Sequence, residues 1–438
     1  MFKTLKNAFK IKEIRLKLLY TLAMLVVIRF GSQLPVPGVN TAQFASWFEQ
    51  KSGDTFNFLN AFTGGSFLKM SVFALNITPY ITSSIIMQLM TIAIPKLEEM
   101  QKDGDEGRKK IASITRYVTV GLALIESTAM AIGFGRSGIL VKYNAYYVLT
   151  VIVALTAGSA ILMWIGERIT ENGVGNGISV VLTINIISRI PEDMRTLYES
   201  FVKPSKSLAI AVLVALFIIA IIVGMVVLVV LLNDAERRIP VQYSKKMQGR
   251  RLVGGSSSNI PLKVNTAGVI PIIFASSILE TPIIICSLAG INPTGVWAEI
   301  FKGMSSSNWC NTKTPQYSIG LLVYIILVVF FAYFYTSITF NPMLLSDNMK
   351  KSGGFIPGIR PGKPTTEYLT KILNYIIFIG ACGLIIVAVL PFVFNGLFNA
   401  SVSFGGTSLI IIVSVVLETI KQIESQMLVR NYKGFLND

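Results

Sequence analysis

The sequence predicts an all-α polytopic membrane protein with about ten transmembrane helices. Three observations support this class: 52% of the 438 residues are hydrophobic, only 14% are charged, and the apolar residues fall in runs long enough to cross a bilayer. Because lipid offers the backbone no hydrogen-bond partners, spanning runs of this length form helices. The composition excludes a disordered chain and an ordinary soluble enzyme.

Ten apolar runs account for the predicted helices. Nine have about the length of a transmembrane helix, and the fifth is shorter and follows the glycine-rich residues 173–177. In chain order the predicted spans are 18–37, 70–94, 113–134, 145–165, 177–190, 207–232, 264–289, 317–341, 370–394 and 404–424. A bare Gly-x-Gly pattern is a weak ligand signal, so we interpret residues 173–177 as a helix-start turn capped by Asn176.

The distribution of basic residues predicts the orientation of these spans. The connections on one side, among them 1–17, 95–117 and 233–263, carry most of the 39 Lys and Arg residues. Positive residues favour the cytoplasmic side, so both termini are predicted to be cytoplasmic. The formal charge of +16 then indicates orientation and a docking face rather than nucleic-acid binding. The first span contains Arg29 and no small-residue cleavage site, so we interpret it as uncleaved.

The chain is expected to consist of two five-helix halves, 1–190 and 207–438, joined by an outer connection at 191–206. A weak internal similarity supports this division. Leu68-Lys69, Pro79 and Ser83-Ser84 in the second span match Leu262-Lys263, Pro271 and Ser276-Ser277 in the seventh. An odd number of crossings inverts the second half relative to the first. A chance likeness between two proline-containing helices explains the match equally well.

No catalytic or metal site is predicted. The chain has no histidine, which excludes Ser-His-Asp triads, Cys-His dyads and histidine metal ligands. Of its three cysteines, Cys286 and Cys382 lie in apolar runs, and no Cys-x-x-Cys pair or disulfide framework exists. Residues 358–363 lack the spacing and the Ser/Thr of a phosphate-binding loop. We therefore expect that the protein has no cofactor and is not an enzyme.

Three charges inside apolar runs leave a second function open. Arg29 lies near the end of its span, where snorkelling or structural pairing accounts for it. Glu126 and Glu280 either face a water-filled interior or bind ions in a secondary transporter built from inverted repeats. An intramembrane hydrolase is disfavoured, because no Ser/Lys or paired-Asp site is recognisable.

Two connections predicted to be cytoplasmic, 233–263 and 343–366, are basic, and 233–263 is longer than a link between helices requires. Either they only obey the orientation bias, or they form a docking surface for an acidic or RNA-containing partner. Prolines and glycines between residues 353 and 364 hold Arg360 at the tip of a rigid loop.

Motifs are spread along almost the whole chain. They include Arg29-Phe30-Gly31-Ser32, Pro35-Val36-Pro37-Gly38, Pro79-Tyr80-Ile81, Gly107-Arg108-Lys109-Lys110, Met163-Trp164-Ile165-Gly166-Glu167, Asn176-Gly177-Ile178-Ser179, Gln248-Gly249-Arg250-Arg251, Pro261-Leu262-Lys263-Val264-Asn265, Phe340-Asn341-Pro342 and Phe404-Gly405-Gly406-Thr407-Ser408. In kind and order they resemble the SecY family of protein-conducting channels. The resemblance implies a passive, gated pore that moves unfolded polypeptides across the membrane and releases signal sequences and membrane segments sideways into lipid.

The resemblance also implies the site residues. An aliphatic ring that seals the pore would consist of Ile77, Ile81, Ile178, Leu182, Ile273 and Ile411. A short plug at about 56–68 would include Phe58, Leu59, Phe62, Gly64 and Gly65. A lateral gate between the second and third spans and the seventh and eighth would include Thr82, Ser84 and Gln88. Asn76 and Thr78 are more polar than the family usually has at these positions.

The implied partners follow from the same resemblance. SecE would clamp the two halves, and SecG would be a third subunit. The motor ATPase SecA or the ribosome would dock on Arg250, Arg251 and Arg360 and supply force, since the chain has no energy-coupling motif. Secretory preproteins with signal sequences and membrane lipids complete the set, in a bacterial plasma membrane. Glu126, Glu280 and Cys310 have no implied role.

Overall fold

The computed structural model describes residues 8–44, 46, 63–203, 208–243, 246–248, 251–253, 257–289, 295–310, 314–398 and 406–434. Contacts divide the chain into two units. The first comprises Met1–Thr196, Pro282–Phe301 and Val415–Asp438, and the second comprises Leu197–Thr281 and Lys302–Ser414. Most of the predicted N-terminal half thus falls in the first unit and most of the C-terminal half in the second. The inverted relation between the halves stays a prediction.

Helices occupy all ten predicted spans. The first unit contains α1 (Lys12–Gly31), α2 (Thr78–Ala93), α3 (Pro95–Lys102), α4 (Asp105–Arg136), α5 (Ala145–Asn172), α6 (Gly177–Ile187) and the short α7 (Ile190–Leu197). The helices that follow are a π-helical turn at Tyr198–Val202, α8 (Leu208–Asp234), α9 (Ile270–Ala289), α10 (Val296–Met304), 3-10 turns at Ser306–Asn308 and Pro315–Ser318, α11 (Ile319–Thr339), α12 (Pro342–Lys351), α13 (Lys363–Phe398) and α14 (Gly406–Gly434).

Only some of these helices could cross a membrane unaided. Among the described residues, five are long and apolar enough: Asp105–Arg136, Ala145–Asn172, Ala211–Asp234, Pro315–Lys351 and Lys363–Val393. A sixth is possible if α2 and α3, which meet at a bend of 106°, count as one broken span. The fifth predicted span forms α6, which has 11 residues, about half the length that a bilayer core requires.

The second predicted span starts later than its hydropathy suggests. Residues 70–77 form turns, and the helix begins at Thr78 with Pro79 in its first turn. Met70 and Asn76 adopt positive φ angles of 42° and 54°, which a helix cannot contain. This segment packs tightly on α5: a Cβ at Gly158 would lie 1.9 Å from the Val72 carbonyl oxygen. The glycine therefore permits the contact.

Close glycine packing also positions α6 beside α5. A Cβ at Gly177 would lie 1.9 Å from the Gly166 carbonyl oxygen. Asn176 caps α6, its Oδ1 accepting hydrogen bonds from the backbone N–H groups of Ile178 and Ser179 at 3.2 and 3.5 Å. The glycine-rich stretch is thus a helix-start turn, as the sequence analysis predicts.

The second unit contains a β-sheet that the sequence analysis did not predict. Strand β1 (Glu236–Tyr243) pairs antiparallel with β4 (Ser257–Lys263) on one side and with β5 (Gly354–Phe355) on the other. A smaller pair, β2 (Lys246–Gln248) and β3 (Arg251–Val253), lies between β1 and β4 in the chain. Apolar side chains from both connections and from α13 pack together, namely Ile239, Val241, Leu262, Met349, Ile356, Leu369, Ile372 and Ile376. The two long connections therefore form one folded element.

Candidate functional site

Four residues of the predicted ring belong to the first unit, at the start of α2 and along α6. Ile77 directly precedes α2 and is fully buried, whereas Ile81 lies one turn into the helix and is half-buried. Ile178 and Leu182 are one turn apart on α6. Ile77, Ile81 and Ile178 share one apolar cluster. The structure thus brings together three of these four side chains.

The other two residues of the predicted ring belong to the second unit. Ile273 lies in the first turn of α9 and is half-buried, and Ile411 lies near the start of α14 and is buried. Each follows a fully buried isoleucine of the second unit's core, Ile272 and Ile410. A ring of all six stays a prediction.

Only the end of the predicted plug lies in the described part of the chain. Phe58, Leu59 and Phe62 fall outside it, and Gly64 and Gly65 are described with φ angles of 62° and 82°. A Cβ at Gly64 would lie 2.3 Å from the Asn185 carbonyl oxygen, so this glycine allows a left-handed turn against the end of α6.

The residues after these glycines are packed rather than exposed. Phe67 is almost fully buried, and its ring meets that of Phe44 edge to face at a centroid distance of 5.7 Å. Phe44 contacts Phe134 of α4 in the same way at 5.1 Å. Phe67 is therefore part of the first unit's core.

The predicted gate residues lie on α2 at different exposures. Gln88 is exposed, Ser84 is half-buried, and the Thr82 hydroxyl donates to the Thr78 carbonyl of its own helix at 3.0 Å. The spacing of residues 77, 81, 84 and 88 places them on one face of the helix. This face runs from the apolar cluster at the helix start to an exposed amide.

A polar contact between α2 and α4 was missed by the sequence analysis. The hydroxyl of Ser83 is hydrogen-bonded to the Thr119 hydroxyl and to the Thr115 carbonyl oxygen, and all three residues are buried. Thr115 and Thr119 are one turn apart, so one face of α4 receives the serine. This i,i+4 threonine pair was the available signal, but its partner could not be chosen between Ser83 and Ser84 without the helix orientation.

A second missed contact joins Asn76, before α2, to Asn185 of α6. The Asn185 Nδ2 group donates to Asn76 Oδ1 at 3.0 Å. The Ser159 hydroxyl of α5 donates to the Asn76 carbonyl at 3.2 Å. Asn76 was noted only as unusually polar, because its partner is distant in the sequence.

Arg360 lies exposed on a fixed backbone. Its carbonyl oxygen accepts a hydrogen bond from the Thr365 hydroxyl at 2.8 Å, and the nearby Gly362 carbonyl accepts one from the Ser346 hydroxyl at 3.1 Å. Gly358 and Gly362 have φ angles of 82° and 102°, which shape the turn. The loop can therefore present the guanidinium in a defined place.

The other predicted docking residues are less completely described. Arg250 lies outside the described residues, and Arg251 begins β3, where it pairs with Gln248. On β1 of the sheet, Arg237 is exposed and Arg238 forms an ion pair with Glu236 at 2.6 Å. The element made by the two connections is thus basic beyond the three arginines that the sequence analysis selected.

The unassigned polar groups form no recognised site. In the described part of the chain, no three His, Cys, Asp or Glu residues could together hold a metal ion. Glu126 is half-buried on α4, and the Glu280 side chain lies outside the description. Cys310 is an unpaired thiol with a φ angle of 58°, and partial burial raises its pKa. None of these groups supports the transporter alternative.

Comparisons with known proteins agree with this arrangement. The SecY family model matches residues 71–420. The chain is 43% identical to protein translocase subunit SecY of Streptomyces scabiei over 451 residues and 42% identical to that of Bacillus subtilis over 447 residues, with 100% of each chain covered.

Solved structures show the same fold. A protein-conducting channel matches with a TM-score of 0.65 at 20% identity, and Sec61 from a canine ribosome-channel complex matches with 0.62 at 19%. Each match covers 94% of this chain and 92% of the other. The predicted all-α polytopic fold class is confirmed.

Proposed function

Because the chain belongs to the SecY family, we propose that it is the pore-forming subunit of a protein translocase. It is a passive, gated channel for unfolded polypeptides and not an enzyme. The observation that carries this proposal is the 43% identity over the full length of a SecY subunit. The expected family resemblance is thereby confirmed, and the transporter alternative is not favoured.

The pore is closed by the six aliphatic residues of the predicted ring: Ile77, Ile81, Ile178, Leu182, Ile273 and Ile411. Bulky apolar side chains expel water from a constriction and so resist ion flow. They also offer a passing peptide no fixed hydrogen bonds, so the chain can slide. The shared apolar cluster of Ile77, Ile81 and Ile178 supports this role.

The lateral gate uses the face of α2 that carries Ser84 and Gln88, with Thr82 beside it. A signal sequence must pass between helices to reach lipid, so the gate face must separate from its neighbours during insertion. The exposed Gln88 amide supports this assignment. The plug is the segment at about 56–68, of which the described end includes the buried residue Phe67.

The basic element formed by the two long connections lies on the cytoplasmic side and receives the ribosome or SecA, with Arg360 as the main contact and Arg250 and Arg251 as further contacts. One structure of similar fold is titled as Sec61 in a ribosome-channel complex. SecE and SecG complete the complex in the bacterial plasma membrane. The exposed guanidinium on a fixed loop supports the docking role.

Site-specific photocrosslinking to a stalled secretory chain tests the proposal. Photoreactive residues replace Ile81 and Ile273 of the ring, and Leu213, which is 67% exposed on α8, is the control. We expect crosslinks to the stalled chain from the first two positions and not from Leu213. The absence of ring crosslinks, together with accumulation of a small solute by reconstituted liposomes, would instead establish a transporter.

A further inference from the structure

The Asn76–Asn185 hydrogen bond joins the two segments that carry four of the six ring residues. Both asparagines are buried, with 1% and 2% of their surface exposed, and the donor and acceptor are 3.0 Å apart. An amide in an apolar bundle is costly unless it is bonded to a neighbour. The pair is therefore a specific contact, and it explains the polarity of Asn76.

Each asparagine lies next to ring residues. Asn76 directly precedes Ile77, the residue before the first helical position of α2. Asn185 follows Ile178 by seven positions and Leu182 by three, so the three residues lie along one face of α6. A bond between the asparagines therefore fixes the start of α2 relative to the ring-bearing face of α6.

The backbone around the pair is fixed from several sides. The Asn76 N–H donates to the Phe73 carbonyl at 2.9 Å, and its own carbonyl accepts from the Ser159 hydroxyl of α5. The Asn185 carbonyl contacts Gly64, the residue that the plug prediction includes. Asn185 Oδ1 has no hydrogen-bond partner among the described residues, so the Asn185 amide is held there by the bond from its Nδ2 group to Asn76.

We propose that Asn76 and Asn185 are positioning residues for the pore constriction. Their hydrogen bond holds α2 and α6 at the spacing of the closed ring and breaks when the ring widens around a polypeptide. A single hydrogen bond stabilises the closed state only slightly, and it sets how tightly a signal sequence must bind to open the channel. This inference rests on the proposed function.

The variants are chosen to separate the hydrogen bond from a purely local role of Asn76 in its backbone turn. Its φ angle of 54° is one that asparagine and glycine tolerate better than other residues. Asn76→Gly keeps this backbone conformation accessible but removes the amide. Asn185→Ala removes the other partner from the interior of a regular helix. Thr183→Val is the matched control, because Thr183 is also buried on α6 but its hydroxyl donates to the Ser179 carbonyl of its own helix.

The experiment measures resting ion conductance of the reconstituted channel complex in planar bilayers without a translocating chain. Loss of one hydrogen bond shifts a closed-to-open ratio by about fivefold. We expect Asn76→Gly and Asn185→Ala each to raise the open fraction by that factor, with no further rise in the double variant. Both should also increase transport of a preprotein with a defective signal sequence. Thr183→Val should leave both measurements unchanged.

Three results would overturn the positioning role: unchanged conductance in both single variants, an additive rise in the double variant, or an equal rise in Thr183→Val. A lower midpoint of thermal unfolding with unchanged conductance also contradicts it, because that is the behaviour of a purely structural contact. If Asn76→Gly fails to assemble, Asn185→Ala retains the test. The unmodified complex distinguishes failure of the proposed function from failure of the positioning role. If the unmodified complex transports preprotein and the variants behave in the same way, only the positioning role is wrong.

Discussion

Charge reversal at Arg360 tests the docking surface most directly. Its side chain is exposed, while its carbonyl oxygen is held by the Thr365 hydroxyl at 2.8 Å. Arg360→Glu therefore changes the charge at the loop tip and leaves the loop's own hydrogen bonds in place. A hydrogen bond to a charged group contributes about 1.5–3 kcal/mol. Losing one weakens partner binding by roughly 10- to 150-fold.

The assay is motor-driven transport of a preprotein into vesicles, together with the affinity of SecA and of ribosomes for the reconstituted channel. Lys363→Glu is the matched control, because Lys363 is also exposed, lies three residues further on and undergoes the same change of charge. We expect Arg360→Glu to abolish transport while assembly stays normal, and Lys363→Glu to retain most of it. Normal transport by Arg360→Glu would refute the specific contact. Equal losses of transport in both variants would show that the net charge of the loop matters and not the arginine itself.

Three further outcomes are expected. Replacing Ile81 and Ile411 by Ser should raise the resting ion conductance, since hydroxyl groups hydrate the constriction; an unchanged current argues against a seal. Phe67→Ala should destabilise the first unit by about 3–5 kcal/mol and lower its thermal unfolding midpoint. Phe330→Ala removes a ring that is 58% exposed and should lower the midpoint much less. Equal changes of the midpoint in the two variants would contradict the packing of Phe67. Ser83→Val should cost about 0.5–1.5 kcal/mol by removing the hydrogen bond to α4, since the Thr119 hydroxyl still donates to the Thr115 carbonyl; an unchanged midpoint would show that this contact does not hold the helices together.

Hydropathy predicted where the ten helices lie because burial in lipid demands apolar runs of a characteristic length. The Asn176 cap was also predictable, since it depends on neighbours only one turn away. The start of the second span was not. Residues 70–77 are apolar enough for a helix, but their backbone is turned by left-handed residues and packed against Gly158, which is far away in the sequence.

Contacts between distant segments account for the other differences. Ser83 and Ser84 are adjacent and chemically identical, and only the orientation of α2 against Thr119 distinguishes the buried residue from the half-buried one. The apolar residues Ile239 and Val241, two positions apart between Arg238 and Gln242, were the available signal for β1. That signal identifies a strand but not its partners, one of which comes from a connection more than a hundred residues away.

The joining of two connections in one sheet bears on how a partner could drive transport. Ile239 and Val241 of the first connection pack with Ile356 of the second and with Leu369 of α13. A partner that binds Arg360 therefore contacts a preformed body, and it avoids the roughly 1–2 kcal/mol per residue that ordering a flexible loop costs. Since α13 begins at Lys363, three residues beyond Arg360, a force applied at the arginine reaches a membrane helix through packed side chains and strand hydrogen bonds. A flexible connection would absorb the same force.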